Sequence, residues 1–216
     1  MTNEGVWIVG AGGLARGAVD LLQRAGRPVA GLVTIDLSGH EWFDGPIVLE
    51  SAFRRRTTQT TAVIAIGDTG RRLGAAVGLQ AAMPLLRFAT LIDPEAVVAR
   101  SAEIGEGTIL MARATVAPQA RVGRHVVIYT GAIIEHDSIV DDFASLAPGA
   151  VLGGGVKVGE ASFIGLGAMV SHGVSIGCDT VVGMASGVTQ DLPANVVAVG
   201  TPAHVIRTRS RGETFL

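Results

Sequence analysis

Residues 133–159 read IIEHDSIVDDFASLAPGAVLGGGVKVG, and within them Ile134, Val140, Leu146, Leu152 and Val158 fall on every sixth position. Traced outward, the series runs unbroken from Val98 to Val188, sixteen aliphatic residues in a row. Two residues before each stands a small or short side chain, as at Ala96, Ala102, Thr108, Ala114, Ala120 and Ala132, with only Val126, Val156 and Val174 larger. The following residue is often glycine, as at Gly105, Gly123, Gly153, Gly165 and Gly183. Such a period fits neither the α-helix, at about 3.6 residues per turn, nor the simple alternation of a strand. It fits a hexapeptide-repeat solenoid, a parallel β-helix whose coil has three flat sides, each sending one aliphatic residue inward. The solenoid is expected from about Ala96 to Asp191, within a domain spanning 93–192 and followed by a turn and tail over 193–216. The turn is Gly200-Thr201-Pro202-Ala203, and His204 to Leu216 should form a short helix or extended arm.

Composition agrees with narrow coils. Aromatic residues make up 4% of the 216-residue chain, while glycine accounts for 30 positions. Hydrophobic content of 48% and a net charge of −2 argue against disorder and against a strong nucleic-acid-binding field. Cys178 is the sole cysteine, so no intrachain disulfide forms and a reducing compartment is the default. The sequence shows no signal-peptide pattern and no membrane-spanning run, which points to a cytoplasmic protein.

Residues 1–92 lack the repeat and read as alternating strands and helices, hence a parallel sheet in a Rossmann-like α/β domain. Strands are expected at Val6–Val9, Val29–Ile35, Ala62–Ile66 and Leu85–Leu91, with helices at Ala15–Arg24 and Arg71–Ala82. Gly10-x-Gly12-x-x-Ala15, between the first strand and helix, is a phosphate-binding pattern. Asp36 and Gly67, at neighbouring strand ends, would complete a nucleotide pocket. The domain is half the length of a full dinucleotide fold, which disfavours a nicotinamide cofactor.

A coil of eighteen residues makes the three sides chemically distinct. Hexads starting at Leu110, Ile128, Leu146, Ile164 and Val182 carry Arg113 as their sole charge, so this side should be covered by a subunit, a ligand or both. Those starting at Ile104, Val122, Val140, Val158 and Ile176 are charged and should be solvated, with His125 a structural or solvated residue among them. Those starting at Val98, Val116, Ile134, Leu152 and Val170 bring Glu135-His136-Asp137 beneath Gly153-Gly154-Gly155, with His172 one coil further on. A histidine flanked by carboxylates beside bare backbone N–H groups is a general base next to hydrogen-bond donors. One uncharged side suits a cyclic homotrimer with sites in the clefts between subunits. The histidines are too scattered for a zinc site, and no metal is expected.

Together, IVGAGGLARG, AIGDTGRR at Ala65 to Arg72, the EHD stretch, FIGLGAMV and the closing VGTPAHVIR resemble the bacterial sugar acyltransferases of the NeuD/PglD type. The resemblance covers nearly the whole chain. It implies a left-handed β-helix acetyltransferase domain behind a nucleotide-sugar-binding domain, with acetyl-CoA as co-substrate. It also implies roles for individual residues. His136 would be the general base and Asp137 the acid that increases its basicity. Gly154 would offer a backbone N–H near the thioester carbonyl, while Leu166 and Met184 would meet acetyl-CoA. Gly12, Gly13, Leu14, Asp36 and Gly67 would line the nucleotide-sugar pocket. The family often has histidines where this chain has Leu14 and Ser145, and the Ser145 hydroxyl would partly replace an acyl-CoA or proton-shuttle contact. The expected activity is N-acetylation of a nucleotide-linked amino sugar. The alternatives are O-acetylation of a sialic-acid-like sugar and a non-catalytic sugar-nucleotide-binding scaffold.

Overall fold

Every ladder residue from Leu110 to Val188 is at most 4% exposed, and all share one continuous core with the small residues that precede them. In the computed structural model, which describes residues 5–214, each pairs with the ladder residue eighteen positions on, as Ile134 does with Leu152 and Leu152 with Val170. The backbone closes the stack by rung-to-rung hydrogen bonds such as Gly153 N–H to Val170 O at 2.9 Å. Three sheets result, of six, five and eight strands, parallel throughout except for the last strand of the largest. Corners are made by a residue of positive φ at every sixth position from Gly107 to Ala185. The architecture is the left-handed parallel β-helix.

The ladder begins one rung earlier than the sequence suggested. Leu91–Ile92 pairs in parallel with Ile109–Leu110 and is the first strand of the solenoid, not the end of an α/β strand. At the other end Val196–Val199 extends the largest sheet and turns back into His204–Thr208, antiparallel. The tail expected as a helix or arm is therefore a β-hairpin strand as far as Thr208, and residues 215–216 lie outside the described residues.

The N-terminal layer contains β1 (Val6–Val9), α1 (Gly13–Arg24), β2 (Val29–Thr34), β3 (Ile47–Leu49), α2 (Glu50–Phe53), β4 (Thr60–Ile64), α3 (Thr69–Ala82) and β5 (Leu86–Phe88). Its sheet is all parallel in the order β3-β2-β1-β4-β5. Both long helices start two residues before their expected positions. Gly12, extended at φ −85°, is the N-cap of α1, and the Asp68 side chain caps α3 by accepting from Arg71 N–H. The short β3 and α2 carry too few residues to show a period, and the sequence did not reveal them.

The uncharged side is covered, but over its first coils by the chain itself. Helix α1 packs Leu14, Ala15, Ala18, Val19 and Leu22 against Leu91, Ile109, Met111 and Val127. Higher up, Leu166 and Met184 remain 52% and 75% exposed. Among the described residues no helix is long and apolar enough to cross a membrane.

One side chain fastens the two layers. Arg72, 0% exposed, donates through Nε to His125 O at 2.8 Å and through Nη1 to Ile66 O and Gly67 O at 2.8 and 3.0 Å. Its Nη2 reaches Phe143 O, Ala144 O and Ser145 Oγ at 2.7, 3.2 and 2.8 Å. Burial pushes its pKa down to about 10, so it stays charged at neutral pH. Next to it His125 is not solvated. Its ring is buried, stacked 5.0 Å from Phe143 and edge-on 4.6 Å from Phe88, and burial pushes its pKa down to about 4. Arg72→Met would strand several buried oxygens and should lower unfolding free energy by about 3 kcal/mol or more. The exposed Arg55→Met should change it by less than about 0.5 kcal/mol. Urea unfolding of both variants checks this, and equal losses would contradict the assignment.

Candidate active site

The corner between Ile133–Ile134 and Ile139–Val140 carries Glu135, His136 and Asp137. Asp137 sits in the left-handed region at φ 61°, which turns the chain and swings its carboxylate back to its neighbour. The Asp137 carboxylate accepts from His136 Nδ1 at 2.8 Å. That bond fixes the proton on Nδ1 and leaves the Nε2 lone pair free. Asp137 and, more weakly, Glu135 raise the His136 pKa, the hydrogen bond to Asp137 being the largest cause. Both side chains are open, at 63% and 66% exposure.

Directly above lies Gly154, eighteen positions on. A Cβ there would stand 2.6 Å from His136 Nε2, so the imidazole occupies the space a side chain would need. Glycine at 154 is thus set by the histidine beneath it. The corner is held in register by Gly155 N–H to His136 O at 2.8 Å and Gly173 N–H to Gly154 O at 2.9 Å. The Gly154 N–H makes no hydrogen bond among the described residues.

A second feature is a cleft of about 620 Å³ at the carboxyl ends of β1, β2 and β4, where parallel sheets place ligands. Gly12, Gly13, Leu14, Asp36 and Gly67 all line it, so the structure gathers the five residues assigned to nucleotide-sugar binding. Helix α1 opens onto the cleft with no side-chain cap and no acidic residue in its first turn. Its free N–H groups suit an anion. Space around Gly12 and Gly13 is open, consistent with close approach of a ligand to the backbone. Asp36 accepts from Ser38 N–H at 3.0 Å and Ser38 Oγ–H at 2.9 Å, and these bonds lower its pKa.

His136 does not line this cleft. Tyr129, which does, stands at the corner before Ile133–Ile134, whereas His136 stands at the corner after it, at most about 20 Å along the chain. Leu166 and Met184 are exposed on the Tyr129 edge, roughly 10 and 14 Å further up the prism at about 4.8 Å per coil. One chain therefore does not bring the base, the cleft and the expected acetyl-CoA positions together. Ser145 is a correction. It is 0% exposed and its hydroxyl accepts from Arg72, so it belongs to the fastening between layers and has no access to an acyl-CoA groove. Sequence reasoning also missed His40, Glu50, Arg71 and Tyr129 in the cleft wall. The AIGDTGRR stretch was the available signal for Arg71, while nothing local marked the others. Among the described residues no three His, Cys, Asp or Glu side chains converge as metal ligands.

No family model matches the chain. Solved structures do. The GDP-perosamine N-acetyl transferase of Caulobacter crescentus, in a histidine-to-alanine form complexed with CoA and GDP-perosamine, is 32% identical. The match covers 93% of this chain and 96% of that one, with a TM-score of 0.87. The chain belongs to the hexapeptide-repeat sugar acetyltransferases. Another member of this acetyltransferase family, the acetyltransferase domain of PglB from Neisseria gonorrhoeae FA1090 in complex with acetyl coenzyme A, is 26% identical. It matches over 94% of this chain and 100% of that one, with a TM-score of 0.86. The UDP-N-acetylbacillosamine N-acetyltransferase of Bacillus subtilis (strain 168) is 39% identical over 74 residues, 34% of this chain and a third (33%) of that enzyme's length.

The His136 corner holds an imidazole of fixed tautomer, and Gly154 leaves room for it and has an N–H without a hydrogen bond among the described residues. If His136 is the base, its neutral imidazole takes the proton, and the rate should fall as pH drops through the raised His136 pKa. Asp137→Asn removes the main cause of that rise, and the acidic limb of the kcat profile should move to lower pH with a reduced plateau. A limb that stays in place would count against the pairing. Gly154→Ala should displace the imidazole and cut kcat roughly ten- to a hundredfold, with the melting temperature little changed.

Proposed function

We propose that the protein is a homotrimeric N-acetyltransferase that moves the acetyl group of acetyl-CoA onto the amine of a nucleotide-linked amino sugar. The observation that carries this reading is the His136 corner, with Nδ1 committed to Asp137 and Nε2 open above Gly154, in a chain that also holds a nucleotide-sized cleft. The amine nitrogen attacks the thioester carbonyl carbon directly, and a C–N bond forms as the C–S bond breaks. His136 Nε2 takes the proton from nitrogen and returns it to the departing thiolate. The Gly154 N–H stabilises the oxyanion of the tetrahedral intermediate. Complexes of the Caulobacter enzyme with CoA and GDP-perosamine in histidine-to-alanine and histidine-to-asparagine forms support a histidine at the chemical step.

Assembly follows from the separation within one chain. The exposed Leu166 and Met184 edge of one protomer, laid against the His136 edge of the next, would unite base and acetyl-CoA at each of three interfaces. Both substrates are soluble metabolites, which suits a cytoplasmic location.

His136→Ala should lower turnover of acetyl-CoA with the true acceptor by roughly 10²–10⁴-fold, the usual contribution of a positioned base. The product should be an amide, heavier by one acetyl group and stable to mild base, as read by mass spectrometry. Full turnover by the variant would overturn the mechanism, and a base-labile ester would overturn N-acetylation.

A further inference from the structure

Two carboxylates of the cleft are engaged through side-chain partners, and a third is engaged through one of its oxygens. Asp36 accepts from Ser38 through both oxygens. Glu50 accepts twice from Arg54, and Asp68 caps α3 through Oδ1 close to the buried Arg72 charge, its Oδ2 making no hydrogen bond among the described residues. Arg71 is different. It lines the cleft and is exposed, and among the described residues no carboxylate lies within ion-pair distance of its side chain. Its backbone N–H is bound to Asp68, which fixes where the side chain starts.

Tyr129 is the second unsatisfied group. It is the one residue in the cleft wall that comes from the β-helix, reaching the cleft from the corner after Val127–Ile128. Its ring packs against the buried cluster that contains Leu14 and Met111. Its hydroxyl makes no hydrogen bond to a described residue. Burial pushes the phenol pKa up, so the group remains an O–H donor at neutral pH.

An unpaired guanidinium and an unpaired O–H therefore share a cleft with the uncapped start of α1. All three supply donors, and one supplies an uncompensated positive charge. A nucleoside alone offers no anion to match them. A diphosphate does, since its non-bridging oxygens accept from an arginine fork, a hydroxyl and backbone N–H groups together. We propose that Arg71 and Tyr129 hold the diphosphate of the nucleotide sugar, so that the ligand bridges the α/β layer and the β-helix; this rests on the nucleotide-sugar reading of the cleft. Tyr129 then links occupancy of the N-terminal cleft to the coil that leads into Glu135-His136-Asp137, with His136 seven residues further along the same coil.

Calorimetric titration of the full-length protein with UDP and GDP, and competition with uridine and guanosine, tests this in wild type, Arg71→Gln, Arg71→Lys and Tyr129→Phe. Arg71→Gln should weaken whichever diphosphate binds by roughly ten- to a hundredfold and flatten its salt dependence, with Arg71→Lys recovering part of the loss. Tyr129→Phe should weaken it roughly three- to tenfold. Nucleoside affinity should be the same in every form. Wild-type diphosphate affinity in both Arg71→Gln and Tyr129→Phe would overturn the proposal while leaving the nucleotide reading intact. Equal loss of diphosphate and nucleoside would mean a damaged cleft and would also overturn it. Failure of the wild type to bind either diphosphate would remove the nucleotide reading itself, and the proposal with it.

Discussion

The constraint on which everything else depends is the zero-slip register of the coil. Each residue stacks on the one eighteen positions away, with no shift at any pairing in the solenoid from Leu91 to Val188. The core enforces this register. An inserted residue would send an outward side chain into an interior of Val, Ile, Leu and Ala and expose a ladder aliphatic at the next rung. The same rule that stacks Ile134 under Leu152 stacks His136 under Gly154. A hydrophobic repeat thereby sets the distance between a candidate base and the backbone above it. Corner geometry has a cost that this core must offset. Eight of the corner residues from Gly107 to Ala185 adopt positive φ without being glycine, Phe143 and Ala161 among them.

The second determinant is the Arg72 fastening. Its six acceptors lie on two separate layers, at Ile66 and Gly67 on one and at His125, Phe143, Ala144 and Ser145 on the other. A lysine would deliver a single point of attachment. The planar fork holds both layers at once, and the same turn at Ile66 and Gly67 forms part of the cleft wall. The orientation of the nucleotide pocket relative to the β-helix is therefore built into one buried side chain.

What the sequence made legible follows from the range of each interaction. The ladder is a local, repeated pattern, so the β-helix and its three unlike sides could be read directly, apart from the first rung at Leu91–Ile92. The glycine loop and Asp36 were readable because a strand–turn–helix unit is also local. Arg72 was not, because its partners on the β-helix lie 53 to 73 residues away. Ser145 was misassigned for the same reason. The family pattern pointed to acyl-CoA, whereas its pleat points it outward on the side that α3 covers, and α3 supplies Arg72. The uncharged side was legible as covered, but not its occupant, because the apolar stripe of α1 is identical in composition whether it meets a subunit or its own chain.

The openness of His136 bears on the assembly. An imidazole 63% exposed, with its partner Asp137 66% exposed, is held in geometry but not shielded from water. Water competes for the Nε2 lone pair and screens the Asp137 field that makes the base strong. Cover from a neighbouring protomer would exclude that water and strengthen the Asp137 contact. It would also desolvate the imidazolium, an opposing effect on the pKa. The two changes act on the His136 pKa in opposite directions. The Gly154 backbone, kept bare by the histidine itself, then faces the acyl group in a drier site, where a single N–H donor is worth more than in water. On the trimeric reading, the β-helix holds the base and donor in register, and the contact between copies supplies the dielectric in which they act.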